Sequence, residues 1–160
     1  MRAWLIPLFL LIPACTPPAA QPAPAPANLM VQVHPQSGLP VISLRATPPG
    51  SPQHRFRVEV ARSDAEQQRG LMFRTALGAD EGMLFPYDPP QTVSFWMHNT
   101  VIPLDIIYIG ADHKVLNIAA NATPYSDESL PSAGPVSAVL ELNGGRAKAL
   151  GIAAGIVIEW

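Results

Sequence analysis

The side chains best suited to chemistry in this chain lie beside apolar runs. Arg69 and Arg74 bracket a Gly-Leu-Met turn, whereas Asp105 and Glu141 each adjoin a predicted strand. A carboxylate in such surroundings costs free energy unless it is paired or hydrogen-bonded. Two interpretations follow. The four groups form ion pairs that specify the fold, for example an arginine bridging Asp105 or Glu141, or they line a polar pocket.

The pocket interpretation predicts a binding site that combines charged, polar and aromatic side chains. Its arginines suit an anionic group, and its amide, hydroxyl and carboxyl groups suit hydroxyls or amides. Phe95-Trp96-Met97 is typical of a core, but an indole exposed in a groove would instead offer its face to a sugar or another ring. The predicted pocket consists of Arg69, Arg74, Trp96, Asn99, Thr100, Asp105 and Glu141.

One form of catalysis remains as an alternative. Asp105 and Glu141 could act as acid and base on a glycosidic bond, which needs two carboxyl groups at a defined separation. A cysteine nucleophile is excluded if Cys15 is acylated, and the chain has no Gly-x-Ser-x-Gly elbow. We therefore expect a non-catalytic binding domain, with an envelope hydrolase that uses the two carboxyl groups as the alternative.

The sequence has no pattern typical of a metal or cofactor site. The four histidines are scattered singly, without the His-x-x-x-His or Cys-x-x-Cys spacing of zinc sites. Met72, Met83 and Met97 with His98 could bind Cu(I), although methionine more commonly fills core gaps. Asn143-Gly144-Gly145 lacks the lysine of a phosphate loop and predicts a turn. We expect neither a metal nor a cofactor.

The N-terminus predicts export and lipid attachment. Met1-Arg2 is a short positive region, an apolar run follows from Ala3 to Ile12, and Pro13-Ala14-Cys15 closes it. This resembles a lipoprotein signal, in which residues 1–14 are removed and Cys15 is acylated. An ordinary signal peptide and an uncleaved membrane helix are the alternatives, but the run is shorter than the about 20 residues that span a bilayer.

Residues 15–54 are interpreted as the lipidated Cys15, a spacer and a poorly defined segment. Thr16 to Ala27 is rich in proline and alanine, which favours an extended spacer. No aspartate follows Cys15, so the resemblance to lipoproteins implies the outer membrane, facing the periplasm. Strand-like stretches within Leu29 to Ala46 are interrupted by prolines and could be edge strands. We place the domain boundary near Arg55, after a loop-like stretch.

Residues 55–160 are predicted to form one domain of mainly β or α+β class. Phe56, Val58 and Val60 alternate with polar residues, the period of a half-buried strand. Ser63 and Glu66 predict a capping box at the start of a short helix. A hairpin is predicted to pair residues 104–109 with residues 114–120. With further short segments, the pattern predicts a small barrel-like folded sheet of six to seven strands with one or two short helices.

Composition limits the classes of partner. Charged residues are 14% of the chain and the formal net charge is −2, which provides no basic face for nucleic acid. The single cysteine excludes an intramolecular disulfide. We therefore expect no nucleic-acid partner and a core held by packing.

Four ordered blocks resemble a known family, the domain of unknown function 192. They are Arg69-Gly70-Leu71-Met72-Phe73-Arg74, Gly82-Met83-Leu84-Phe85, the stretch from Phe95 to Asp105, and Glu141-Leu142-Asn143-Gly144-Gly145. The resemblance covers about Phe56 to Trp160. It implies a small β-barrel-like fold, often behind a signal peptide, and brings no established reaction. His98 stands where the family more often has lysine, so no permanent cation is implied there.

These observations predict an exported, lipid-anchored accessory protein of the cell envelope. Its partners would be the membrane, through the lipid, and a small molecule, a glycan or an envelope protein. A purely structural partner of another envelope protein would instead present a contiguous apolar surface.

Overall fold

The computed structural model describes residues 32–160. The predicted signal peptide, Cys15 and the proline-rich spacer lie outside the described residues. No helix within residues 32–160 is both long enough and apolar enough to cross a membrane.

The described chain is built mainly from strands, with two short helices. In chain order the elements are β1 (Gln32–Val33), β2 (Pro40–Ala46), β3 (His54–Val60), α1 (Asp64–Arg69), β4 (Glu81–Gln91), β5 (Ser94–Phe95), β6 (Leu104–Ile109), β7 (Val115–Ala122), β8 (Leu130–Pro131), β9 (Val136–Asn143), α2 (Arg146–Leu150) and β10 (Ile158–Glu159).

Eight of the strands form one mixed sheet. Its order is β1-β2-β3-β4-β9-β6-β7, and β10 pairs with β2; β5 and β8 form a separate two-stranded sheet. Strands β3 and β4 are parallel, and the crossover between them contains α1. The mainly β, α+β prediction is confirmed. Within residues 32–160 the sheet does not close into a barrel: strand β7 is at one end of the strand order, and the pairing beyond it is an isolated bridge between Lys114 and Val157.

The sheet is covered on both faces, so the central strands β6 and β9 are almost entirely buried. On the face covered by α2, here called the α2 face, Leu140 and Leu142 pack in a cluster with Ala147. On the face covered by the chain that follows α1, here called the α1 face, Val139 packs in a cluster with Leu71. Alternate residues of β9 therefore serve different cores.

Strand β2 lies before the boundary that the sequence placed near Arg55. It pairs with β3 from Val41 opposite Glu59 to Ala46 opposite His54. Gly38 precedes this strand and Pro40 is its first residue. At that position the missing N–H of a proline costs little. The folded unit therefore begins before Arg55.

Helix α1 begins at the capping box predicted from Ser63 and Glu66. The Ser63 hydroxyl accepts from the Glu66 N–H at 3.4 Å, and the Ser63 N–H donates to the Glu66 carboxylate at 2.8 Å. The helix ends at Gly70, whose φ is +46°. A Cβ there would lie 3.4 Å from the Phe85 ring, so glycine lets the chain after α1 lie close to β4.

Candidate functional site

Glu141 lies in the centre of the sheet with one carboxyl oxygen unsatisfied. It is opposite Met83 on β4 and Ile106 on β6, and it points to the α1 face. The residue is only 5% exposed, and its Oε2 has no hydrogen-bond partner among residues 32–160. Burial raises the pKa of the Glu141 carboxyl to about 8. The group is therefore mostly protonated at neutral pH and can donate a hydrogen bond.

Glu141 borders a cavity of about 190 Å³, here called the Glu141 cleft. One side of the cleft is the end of α1 and the turn after it, and the other side is formed by aromatic residues of β4 and β5. Its lining residues are Gln67, Gln68, Arg69, Gly70, Leu71, Met72, Phe85, Tyr87, Ser94, Phe95, Trp96, Thr100 and Glu141.

Aromatic rings form the wall of the cleft next to Glu141. Phe95 meets Phe85 and Tyr108 edge to face, with centroid distances of 5.1 Å and 6.2 Å. Burial, and then the negative charge of an ionised Glu141, raise the pKa of Tyr87 to about 12. The same two causes raise the pKa of Tyr108, whose hydroxyl donates to the Leu130 carbonyl. Both phenols stay neutral at physiological pH.

Trp96 forms the exposed side of the cleft. Its side chain is 51% exposed, whereas Met97 is buried and Phe95 is half-buried. The indole stacks on His98 at a centroid distance of 4.9 Å, and His98 Nδ1 lies 2.7 Å from Asp127 Oδ1. The core interpretation of Phe95-Trp96-Met97 therefore holds for Met97 and in part for Phe95. Trp96 is instead exposed and lines a cleft, the arrangement that the alternative interpretation requires.

The two arginines predicted for the pocket have different surroundings. Arg74 is buried, and its Nη2 lies 2.9 Å and 3.0 Å from the two carboxylate oxygens of Glu59. Ser37 also donates to this carboxylate. Arg69 is exposed, makes no ion pair with another described residue, and lines the Glu141 cleft. Arg69 is thus available for an anionic group of a ligand, and Arg74 is not.

A larger cavity, of about 470 Å³, lies on the other side of the turn after α1. Its lining includes Arg69, Gly70 and Met72, which it shares with the Glu141 cleft, and also Arg74. The one buried charge in its wall, that of Arg74, is already neutralised by Glu59. The smaller cleft is therefore the stronger candidate, because its buried polar group still lacks a partner.

Asp105 does not line the Glu141 cleft, and its carboxylate instead accepts hydrogen bonds from the backbone. It lies opposite Leu142 and points to the α2 face, away from Glu141. Its carboxylate accepts from three backbone N–H groups, those of Asn121 at 2.7 Å, Gly145 at 2.9 Å and Ala147 at 2.7 Å. The prediction that Asp105 and Glu141 act together as an acid–base pair is therefore wrong. So is the prediction of an arginine bridging either of them, because Arg74 bridges Glu59.

Three residues near the cleft have backbones in the left-handed region. They are Phe73, with φ +61°, Asn99, with φ +53°, and Tyr125, with φ +61°. The Phe73 N–H donates to the Asn99 carbonyl at 2.9 Å, and the Tyr125 N–H donates to the Thr100 carbonyl at 3.1 Å. Such conformations cost about 1–3 kcal/mol each and concentrate at functional sites. His113 and Asn121, which do not line the cleft, have the same kind of backbone, so three of the five such non-glycine residues within residues 32–160 lie near the cleft.

The structure brings together four of the seven predicted pocket residues: Arg69, Trp96, Thr100 and Glu141. Asn99 supports the neighbouring turn, and Arg74 and Asp105 are structural. Sequence reasoning missed Tyr87, although residues 83, 85 and 87 alternate as one face of a strand requires. It also missed Glu59, because the sequence does not show that Arg74 reaches it. Met83 and Met97, considered above as copper ligands, are buried in the core, where methionine was expected more commonly to lie.

The comparisons with known proteins agree with this fold. A family model, domain of unknown function 192, described as an uncharacterized ACR, matches residues 45–160. No curated protein matches the chain significantly.

The crystal structures similar to this chain include those of two bacterial proteins. One is a protein of unknown function from Novosphingobium aromaticivorans DSM 12444, with 56% identity over 81% of this chain and 91% of that one, and a TM-score of 0.78. The other, from Sinorhizobium meliloti 1021, is described as a proposed transcription regulator. It has 36% identity over 76% of this chain and 94% of that one, and a TM-score of 0.73.

Proposed function

The chain belongs to domain of unknown function 192, an uncharacterised family, and we propose that it is an exported, lipid-anchored envelope protein that binds a sugar-like ring. The single observation that carries the binding proposal is the carboxyl group of Glu141 at the Glu141 cleft. A buried polar group without a partner costs about 1–3 kcal/mol. A ligand hydroxyl or amide in the cleft would remove that cost.

The rest of the cleft suits a polar ring. The exposed indole of Trp96 offers a flat, electron-rich face to the weakly positive C–H groups of a sugar. Gln68 and Arg69 line the same cleft with hydrogen-bond donors, and Arg69 is suited to a carboxylate or another anionic substituent. We infer a ligand with hydroxyl groups and one apolar ring face.

Binding without catalysis is supported by the separation of the two predicted carboxyl groups. Glycoside hydrolysis needs two carboxyls flanking one bond, and Asp105 points to the opposite face of the sheet from Glu141. Glu141 is the one carboxyl group among the described residues that line the cleft. Release of monosaccharide from the sugar dimers or tetramers of the chain-length experiment described below would contradict the non-catalytic proposal.

The lipid anchor is supported by the sequence around Cys15. The domain that binds would then be held at a membrane by a short spacer. Metabolic labelling with a fatty acid tests this: the wild-type protein is expected to incorporate label, and the Cys15→Ser variant is not. Equal labelling of both would contradict lipidation at Cys15.

Ligand binding is tested with the full-length protein in detergent micelles. Saturation-transfer NMR against neutral, N-acetylated and acidic monosaccharides is expected to identify at least one sugar that binds, and calorimetry gives its affinity. Trp96→Ala is expected to weaken that affinity by about tenfold or more. The matched control is Trp160→Ala, because Trp160 is also exposed but stacks on His113 instead.

The result for Glu141 separates binding from folding. Glu141→Leu removes the one carboxyl group among the described residues that line the cleft and is expected to abolish sugar binding while the domain stays folded. Absence of binding to every sugar, or equal loss in the Trp96 and Trp160 variants, would overturn the proposed function.

A further inference from the structure

Trp96 borders a second cavity as well as the Glu141 cleft. This cavity, here called the Asp127 cleft, measures about 250 Å³ and is lined by Ser94, Phe95, Trp96, Asp127 and Ser129. The first three of these residues also line the Glu141 cleft. The two clefts are therefore neighbours that share the wall formed by β5 and Trp96.

The Asp127 cleft contains hydrogen-bonding groups of its own. The hydroxyls of Ser94 and Ser129 lie 2.7 Å apart, and each keeps further capacity to donate or accept. Asp127 uses Oδ1 to hold His98, while its Oδ2 makes no hydrogen bond to another of residues 32–160. These groups match the hydroxyls of a second sugar unit.

The sizes of the two clefts favour a ligand that occupies both. Each is smaller than the about 300–1,000 Å³ of a typical small-molecule site, whereas the two together fall within that range. Trp96 lies between them and stacks on His98 at a centroid distance of 4.9 Å, a contact that favours this orientation of the indole before a ligand binds. A rigid platform lowers the entropic cost of binding.

We propose that the Glu141 cleft and the Asp127 cleft are successive subsites for a linear glycan, with Trp96 between two adjoining sugar units. This inference rests on the proposed function and specifies its ligand as a chain rather than a single sugar. The Asp127 cleft contributes affinity only when the ligand has a second unit.

The test is the dependence of affinity on chain length. Calorimetry with the full-length protein in micelles would compare the monomer, dimer and tetramer of N-acetylglucosamine, glucose and galacturonic acid. In a series whose monomer binds, the dimer is expected to bind about tenfold tighter or more. Equal affinity of monomer and dimer in every such series would overturn the second subsite and leave the proposed function intact.

A variant that fills the second subsite tests its position. Ser129→Trp places a large side chain in the Asp127 cleft, and Ser51→Trp, at an exposed loop position that lines neither cleft, is the matched control. Ser129→Trp is expected to reduce dimer affinity to that of the monomer and leave monomer affinity unchanged. Equal weakening of monomer and dimer would contradict separate subsites. Absence of binding to all sugars contradicts the proposed function and the subsites together.

Discussion

Glu59 and Glu141 occupy the same row of the sheet and have opposite surroundings. Met83 lies opposite Glu59 in β3 and opposite Glu141 in β9, so the two buried glutamates flank one methionine on the α1 face. Glu59 is neutralised by Arg74 and accepts from Ser37. Burial without a partner raises the pKa of Glu141, whose Oε2 is unsatisfied. Similar burial thus gives a structural ion pair at one position and an unsatisfied group at the other.

The difference follows from what the chain places over each carboxyl group. Residues 70–74 cross the α1 face, and Arg74 reaches Glu59 while Arg69 stays exposed at the edge of the Glu141 cleft. Asp105, on the α2 face, is satisfied by backbone N–H groups at the start of α2. Two of these three acidic groups have partners within the fold, and the third, Glu141, has a buried oxygen without a partner among residues 32–160.

Removing the partner of Glu59 should have the largest effect on stability. Arg74→Met removes the arginine that neutralises the buried Glu59 carboxylate, leaving it Ser37 and, at 3.5 Å, His34 Nδ1, and is expected to lower the free energy of unfolding by about 3–5 kcal/mol. Urea denaturation measures this change. The double variant Arg74→Met with Glu59→Gln is expected to recover much of the loss, and a loss of similar size in the double variant would contradict the ion-pair explanation.

Substitution of Asp105 should lower the free energy of unfolding by somewhat less than substitution of Arg74. Asp105→Asn replaces one accepting oxygen by a donor that faces backbone N–H groups, and is expected to cost about 2–4 kcal/mol. Sugar affinity, measured on the protein that stays folded, is expected to be unchanged because Asp105 faces away from the cleft. A loss of affinity without a loss of stability would restore Asp105 as a site residue.

Glu141 should respond to pH in the direction opposite to a paired carboxylate. Above about pH 4.5 the unfolded chain releases the Glu141 proton, whereas the folded protein keeps it until about pH 8. Stability therefore falls as pH rises between these values, because the folded protein holds a proton that the unfolded chain has released. Glu141→Gln is expected to remove this part of the slope and to be more stable than wild type at pH 8.

Chemical denaturation at pH 5 and pH 8 measures the slope. Glu128→Gln, at an exposed position, is the matched control and is expected to keep the wild-type slope. An identical slope in wild type and Glu141→Gln would show that Glu141 is not protonated in the folded protein.

Arg69 should give the smallest effect on stability. Arg69→Gln removes an exposed side chain without an ion pair and is expected to change the free energy of unfolding by less than about 0.5 kcal/mol. We expect the wild-type protein to bind galacturonic acid more tightly than galactose, because Arg69 lines the cleft and suits a carboxylate, and we expect this preference to disappear in the variant. If that preference persists, Arg69 does not contact the anionic group of the ligand.

Strand patterns and caps could be read along the chain because they depend on neighbours in sequence. The alternation of Phe56, Val58 and Val60 and the capping box of Ser63 and Glu66 both appear in the structure. The openness of the sheet could not be read in this way. Whether the sheet closes depends on how β10 pairs with β2 and on the bridge between Lys114 and Val157. Both contacts join residues that are far apart in sequence.

Within residues 32–160, the sequence by itself determined the order of the main strands, the start of α1, the mainly β class and the residue types from which a polar site could be built. It did not determine which buried carboxyl group lacks a hydrogen-bond partner for one of its oxygens. Asp105 and Glu141 both border apolar runs, and only the register of β6 against β9 turns them to opposite faces. The path of the chain after α1 places Arg74 in an ion pair with Glu59, and no described residue forms a hydrogen bond with Glu141 Oε2. Such pairing is decided by tertiary structure, because a buried charge is satisfied by the groups that the fold brings within reach, whatever their separation in sequence.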